Sequence, residues 1–207
     1  MSEAATVQPH LQHEAAVEPA QSPLTPDSMG KLGMWLFLAA DAMTFGCAIA
    51  AYGALRIGNM NWPVPSTILG IPSTAVMTFI LICSSVTMVE ALSAIRRDDQ
   101  AAFRKFLALT VLGGLAFLGL QAREWTHLIA TEGLSIKTSL FSATFFILTG
   151  FHGCHVFGGV VYLSVLLLRG LAGKITAAKY GLIEVAGLYW HFVDLVWILI
   201  FTFVYLI

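Results

Sequence analysis

Five long apolar stretches run through the sequence, and they constrain the fold more than any other feature. They cover residues 32–55, 68–89, 106–122, 140–168 and 182–207. A helix needs about 20 apolar residues to cross a membrane, whereas a strand of a membrane barrel has about 9–11 residues of alternating polarity. The stretches are too long and too uniformly apolar for such strands. Because lipid cannot hydrogen-bond unpaired backbone N–H and C=O groups, helices are the remaining structure. The sequence therefore predicts an all-α integral membrane bundle of five transmembrane helices.

The composition excludes an ordinary water-soluble domain. Hydrophobic residues make up 57% of the chain and charged residues 11%, against about 45–50% and about 25% in soluble domains. The net charge of −1 gives no general attraction to nucleic acid. Residues 1–31 hold four of the seven prolines, without the basic and apolar regions of a signal peptide. We expect a flexible polar tail over 1–31 and a transmembrane domain over 32–207.

The basic residues predict the orientation of the helices. If the tail is cytoplasmic, eight of the 11 Lys and Arg residues lie on the cytoplasmic side: Lys31, Arg96, Arg97, Arg104, Lys105, Arg169, Lys174 and Lys179. The other three, Arg56, Arg123 and Lys137, lie on the opposite side. Because cytoplasmic loops carry the excess of Lys and Arg, the sequence predicts a cytoplasmic N-terminus and a C-terminus on the outer side.

The cysteines and histidines do not form the pattern of a metal or haem site. Cys47, Cys83 and Cys154 lie in three different stretches and form no CxxC pair, which favours small apolar side chains over thiolate ligands. A dihaem cytochrome would need two separated histidines on each of two helices, and a copper–haem centre would need more histidines than lie outside the tail. We expect no catalytic residue, cofactor-binding residue or metal ligand in this chain.

Four acidic residues lie inside the apolar stretches or directly at the end of one, as Glu90 does: Asp41, Glu90, Glu184 and Asp194. A carboxylate at the centre of a membrane helix costs about 2.5–3.5 kcal/mol, so such a residue is expected to face the bundle and to have a partner. Glu184, His191 and Asp194 fall along one face of the last helix at 3.6 residues per turn. Together with three residues of the first and fourth helices, they form a predicted intramembrane polar network: Asp41, His152, His155, Glu184, His191 and Asp194.

Depth in the membrane predicts the pairs within this network. Asp41 and His152 reach similar depths at a rise of about 1.5 Å per residue, so we expect a hydrogen bond between them. Glu90 lies near the cytoplasmic rim, where its side chain is expected to reach the region of Arg96 and Arg97. Three roles stay open for the network: fixing how the helices pack, relaying protons, and recognising lipid head groups or a partner subunit.

The motifs around these residues resemble subunit III of the haem–copper respiratory oxidases. The main match covers residues 142–207, with TGFHGCHV in the fourth stretch and YWHFVDLVW in the fifth. LGLQAREW at 118–125 and LGMWLFLAADAMTFG at 32–46 also match. The second stretch shows only a general likeness. The chain matches the last five helices of the longer, seven-helix family form.

The resemblance implies a non-catalytic subunit of an oxidoreductase complex in the bacterial plasma membrane. It implies packing against oxidase subunit I, with subunit II and a small subunit IV as further partners, haem and copper in those partners, and bound phospholipid. It also implies that Asp41, at the position of a glutamate in most of the family, associates with His152. The cleft that holds lipids in the family would be incomplete here, because two helices are missing.

The resemblance leaves the electron donor open. Asp41 is reminiscent of quinol oxidases, whereas Glu184 and LGLQAREW are more similar to cytochrome c oxidases, which we favour. A relative that accompanies nitric oxide reductase is a further alternative. A stand-alone proton-coupled carrier is disfavoured, because no internal repeat or broken helix is evident.

Overall fold

The computed structural model describes residues 29–207, and its long elements are all helices. The elements are α1 (Met29–Ile57), α2 (Pro65–Ile68), α3 (Ile71–Arg96), α4 (Gln100–Ala130), α5 (Leu140–Leu171) and α6 (Tyr180–Ile200). A 3₁₀ turn, Ala177–Lys179, precedes α6, and a π-helix, Phe201–Leu206, continues it. Five of these helices are long and apolar enough to cross a membrane, which confirms the predicted all-α bundle. Residues 1–28 of the predicted tail lie outside the described residues, and residues 29–31 belong to α1.

The helices extend beyond the apolar stretches that predicted them. The largest difference is in α4, which has 31 residues whereas the apolar stretch covers only 106–122. The additional turns carry Arg104 and Lys105 at one end and Arg123 and Glu124 at the other. Because long charged side chains reach the membrane surface from within a helix, hydropathy marks the part of the helix in hydrocarbon and not its ends.

Two short connections are fixed by local backbone chemistry. Between α3 and α4, Asp98 adopts a positive φ of 59°, and the Asp99 side chain accepts a hydrogen bond from the Ala102 backbone N–H at 3.0 Å. At the start of α5, Ser139 and Ser142 form a capping box in which each side chain bonds the backbone N–H of the other. Both caps satisfy donors that a helix leaves open in its first turn.

The bundle is a ring of four helices with α1 packed outside it. The ring runs α3, α4, α5, α6, and the contact between α3 and α4 is the most extensive. Helix α1 packs mainly against α5 and α6. Because the helices alternate in direction, the bundle has two ends. We name them the Arg96 end, where α3 finishes, and the Trp62 end, where α1 finishes.

A tryptophan of α6 fills the centre of the ring. Trp190 is 1% exposed, and its ring lies against Gly114 of α4 and Gly159 of α5. A Cβ atom added at Gly114 would lie 2.6 Å from Trp190 Cη2, and one added at Gly159 would lie 2.9 Å from Trp190 Cζ3. The Trp190 indole N–H donates to Ser84 Oγ of α3 at 3.1 Å. Small residues thus let one large side chain contact three neighbouring helices.

Candidate functional site

A carboxylate–imidazole contact joins α1 to α5 inside the apolar region. Asp41 lies on the buried face of α1, together with Leu38 and Phe45. Its Oδ1 atom is 3.2 Å from His155 Nε2, and Asp41 is 8% exposed. The Phe45 ring packs against the same imidazole in an edge-to-face arrangement, at 5.2 Å between ring centroids. The site is therefore a polar pair set among apolar side chains between two helices, and the Tyr189 hydroxyl of α6 donates to the His155 carbonyl beside it at 2.9 Å.

The hydrogen bonds of His155 fix how many protons this contact holds. His155 Nδ1 lies 2.8 Å from the Phe151 backbone carbonyl. A carbonyl only accepts, so Nδ1 must carry a hydrogen. The Nε2–Asp41 contact is then made either by a protonated carboxyl donating to a neutral imidazole or by an imidazolium donating to a carboxylate. In both cases one proton lies between the two side chains, and it is the exchangeable proton of the site.

The predicted bond between Asp41 and His152 is wrong. His152 is fully buried, and neither of its ring nitrogens has a hydrogen-bond partner within residues 29–207. Its ring stacks on Trp197 at 5.0 Å and meets the Phe117 ring at 5.7 Å. Three residues turn a helix by about 300°, so His152 and His155 face different neighbours. Matched depth could not decide which of them faces α1.

A second polar group joins α6 to α3. The Ser85 hydroxyl is hydrogen-bonded to His191 Nδ1, and the Asp194 side chain lies near the same hydroxyl. Asp194 is 7% exposed. His191 and Asp194, two members of the polar stripe predicted on the last helix, thus both lie near Ser85 of α3. The sequence analysis did not identify Ser85, since a lone serine in an apolar helix carries little signal.

Glu184 lies at the Arg96 end of the bundle. Its Oε1 atom is 3.0 Å from Lys31 Nζ and 3.3 Å from Arg96 Nη2, so it links α6 to α1 and α3. Because α6 begins at Tyr180, Glu184 is only about 6 Å along the helix. This placement corrects its predicted position in the intramembrane network with His191.

Glu90 does not make its predicted contact. It is exposed and forms no ion pair among the described residues. Arg96 pairs instead with Glu184, and Arg97 Nη1 donates to Ser93 Oγ at 2.6 Å. Both arginines lie at the end of α3, as predicted for the rim, but the rim carboxylate that Arg96 binds comes from α6.

The sequence analysis missed a fifth acid, Glu124 of α4. Its two carboxylate oxygens accept hydrogen bonds from Thr74 Oγ1 of α3 at 3.1 Å and from the Tyr205 hydroxyl at 3.2 Å. The third apolar stretch ends at residue 122, so hydropathy alone places Glu124 outside the membrane-spanning part of the helix. The available signal was its spacing from Gln121 and Leu128, which are both buried and share its helical face.

Comparison with known sequences identifies the family of this chain. The model of the family described as cytochrome c oxidase subunit III matches residues 11–207. The chain belongs to this family. It is 39% identical over 187 residues to "Cytochrome c oxidase subunit 3" of Corynebacterium diphtheriae, covering 89% of this chain and 91% of that protein. It is 37% identical over 175 residues to the protein of the same name from Alkalihalophilus pseudofirmus, covering 84% and 85%.

Family membership makes the chain a multi-pass membrane protein and subunit III of a haem–copper oxidase. It implies association with the oxidase complex. Within residues 29–207, no group of three or more His, Cys, Asp and Glu side chains is placed to hold a metal ion. The chemistry that this part of the chain offers is hydrogen bonding and proton exchange at buried acids and imidazoles.

We expect Glu124→Ala to lower the free energy of unfolding of this protein by about 1–3 kcal/mol, which is the cost of leaving a buried hydroxyl without a partner. The hydroxyl concerned belongs to Tyr205, which is 2% exposed, because Thr74 also has the Gly70 carbonyl as an acceptor. Thermal unfolding of the purified complex measures the effect. Glu124→Gln, which keeps an acceptor, should recover most of the loss. Equal losses for Ala and Gln would contradict this account.

Proposed function

We propose that the chain is a non-catalytic subunit III that packs against oxidase subunit I and sustains its proton uptake and stability during oxygen reduction. The Asp41–His155 contact carries this proposal, since it brings together residues from two motifs of the family match. Haem and copper, in this proposal, are held by the partner subunits, and subunit II and a small subunit IV complete the complex. Bound phospholipid is part of the same proposal.

Packing is the favoured role of the Asp41–His155 contact, and proton exchange is the second. Packing is supported by the position of α1, which lies outside the four-helix ring and has few buried side chains. Proton exchange is supported by the single proton that the contact holds. The His191–Ser85–Asp194 group offers the same two roles between α3 and α6. His152 fits neither role directly, because neither of its ring nitrogens has a hydrogen-bond partner within residues 29–207.

We further propose a cytochrome c donor, a cytoplasmic N-terminus and a location in a bacterial plasma membrane. The donor is supported by the names of the relatives, among them "Cytochrome c oxidase subunit 3" of Bacillus subtilis, which is 35% identical over 178 residues. The orientation is supported by the basic residues at the Arg96 end. Two alternatives are quinol as the electron donor and nitric oxide as the gas consumed. The experiment below distinguishes both from the proposed cytochrome c oxidase.

Purification of the native complex through a tag on this chain tests the proposal. We expect a haem–copper catalytic subunit to co-purify, a reduced-minus-oxidised haem spectrum, and oxygen consumption driven by reduced cytochrome c. The chain separated from its partners should show no haem band, and a band that stays with it would overturn the non-catalytic assignment. Activity with quinol alone, or with nitric oxide, would replace the proposed donor or gas.

A further inference from the structure

We propose that a cavity at the Trp62 end of the bundle binds the carboxylate of an Asp or Glu side chain from another subunit of the oxidase complex. This inference names the chemistry of one partner contact, and it rests on the proposed function, which places the chain in that complex. The cavity has a volume of about 250 Å³. It lies between the end of α1, the loop that leads to α2, the start of α3 and the π-helix that continues α6.

The wall of this cavity contains a guanidinium group without an ion pair. Arg56 lies in the last turn of α1 and lines the cavity. Its Nη2 atom donates to the Ile207 carbonyl oxygen. Its Nη1 atom is buried and has no hydrogen-bond partner within residues 29–207, and the ion pairs in this part of the chain involve other side chains. Because an unpaired charged donor is costly to bury, the chain alone satisfies only part of this group.

Two further polar groups beside Arg56 lack partners. Trp62 lines the same cavity, and its indole N–H is buried and unpaired in the described part of the chain. Tyr52 lies one turn before Arg56 on α1 and is 2% exposed. Its ring meets the Trp62 ring edge to face at 5.4 Å between centroids, and its hydroxyl has no partner among residues 29–207. Because buried polar groups are nearly always hydrogen-bonded, three adjoining exceptions indicate a ligand from outside the chain.

The chemistry of these groups specifies a carboxylate. Arginine and indole nitrogens only donate hydrogen bonds, so the ligand must accept from Arg56 Nη1 and Trp62 Nε1. A carboxylate has two oxygens, one for each N–H, and its hydrogen bonds to a guanidinium are about twice as strong as bonds between neutral groups. Water accepts from the same N–H groups but carries no charge to balance the guanidinium. An acidic side chain supplies both the acceptors and the charge.

The position of the cavity fits a contact with another subunit. Helix α1 is centred near residue 43, so Arg56 lies about 20 Å from its middle. Half of the hydrocarbon core measures about 15 Å, and an acidic residue of a neighbouring subunit can therefore reach the cavity without entering hydrocarbon. The cavity lining includes Val64 and Ile207, which are each 60% exposed. The site thus opens toward the outside of this chain.

Carbodiimide coupling in the native complex tests the site directly. Arg56→Lys places a primary amine in the cavity, and a water-soluble carbodiimide joins that amine to a carboxylate in contact with it, forming an amide with loss of one water. We expect mass spectrometry to find the peptide that contains position 56 coupled to an acidic peptide of another subunit. Asn61→Lys is the matched control, because Asn61 is exposed at the same end but does not line the cavity. It should not give this pair.

Dissociation of the chain from the purified complex tests the two donors. Arg56→Ala should speed dissociation by about tenfold, the usual effect of losing a hydrogen bond to a charged group. Trp62→Phe should act in the same direction, since it removes the indole N–H but keeps a ring that packs against Tyr52 and Phe141. Trp35→Phe is its control, because Trp35 is 54% exposed at the opposite end of α1, and it should change nothing.

The outcomes that would overturn the site are distinct from a failure of the proposed function. Crosslinks confined to acidic residues of this chain would overturn it, as would the same pair at equal yield from Asn61→Lys. Unchanged dissociation in both Arg56→Ala and Trp62→Phe would do so too, and so would a phospholipid lost only from the Arg56→Ala complex, which would assign the charge to a lipid phosphate. Failure of the proposed function would instead appear as a tagged preparation without haem.

Discussion

Gly114→Ala is expected to lower the free energy of unfolding of the chain by about 1–3 kcal/mol, the usual cost of overpacking a filled core. The added Cβ would lie 2.6 Å from Trp190 Cη2 and 2.6 Å from Val160 Cγ2. Trp190 cannot move aside easily, because its N–H is bonded to Ser84 and its Cζ3 and Cε3 atoms lie against Gly159. Gly114→Leu should prevent assembly with the oxidase. The amount of the chain in membranes and the thermal unfolding of the complex measure these effects.

Gly119→Ala is the matched control for this substitution. Gly119 lies on the same helix, and a Cβ atom there would meet nothing within 4 Å. Because alanine favours a helix over glycine by up to about 1 kcal/mol, the control should be neutral or slightly stabilising. Equal destabilisation by the two alanines would show that helix α4 tolerates no substitution, and it would refute the specific role of the Trp190 contact.

Asp41→Ala is expected to shorten the turnover lifetime of the oxidase several-fold, while Asp41→Asn keeps most of the activity and of the proton-to-electron ratio. Alanine removes the partner of His155 Nε2, so it loosens α1 from α5. Asparagine keeps a side chain that hydrogen-bonds the imidazole but cannot ionise. Leaving the buried imidazole nitrogen without its partner costs about 1–3 kcal/mol. Oxygen-electrode traces and proton release per electron in vesicles measure the outcome.

Met43→Ala is the control on the same helix, because Met43 is 75% exposed and lies off the Asp41 face. It should leave lifetime and pumping unchanged. A lower proton-to-electron ratio in Asp41→Asn, with normal assembly, would establish the contact as part of a proton route instead. Normal assembly and lifetime in Asp41→Ala would deny Asp41 either role.

The sequence was enough to predict the helices, because the length and the hydropathy of a stretch are read directly along the chain. Each stretch had to cross the same thickness of lipid, so the number and order of helices followed. The depth of Asp41 and of His155 followed as well, since depth is counted along the chain. The five-helix architecture needed no knowledge of which helices touch.

Rotation about the helix axes was not predictable in the same way. In water, the polar face of a helix reveals its outer side, but in lipid both the packed and the exposed faces are apolar. His152 and His155 are therefore equivalent in sequence, and only packing shows that Trp197 covers the first and α1 meets the second. The prediction for Glu184 was wrong for a related reason. Its apolar neighbours in the sequence gave no sign that it lies in the first turns of α6.

The separation of α1 from its partners along the chain has a consequence for biosynthesis. Lys31 and Glu184 form an ion pair although they are 153 positions apart in the sequence. At about 5–20 residues per second, roughly 8–30 s pass between synthesis of the first residue and of the second. Asp41 is likewise synthesised before His155, so its carboxyl lacks that partner for part of this interval. Until His155 arrives, we expect the Asp41 carboxyl to stay protonated or to bind another partner, such as another subunit or an insertase.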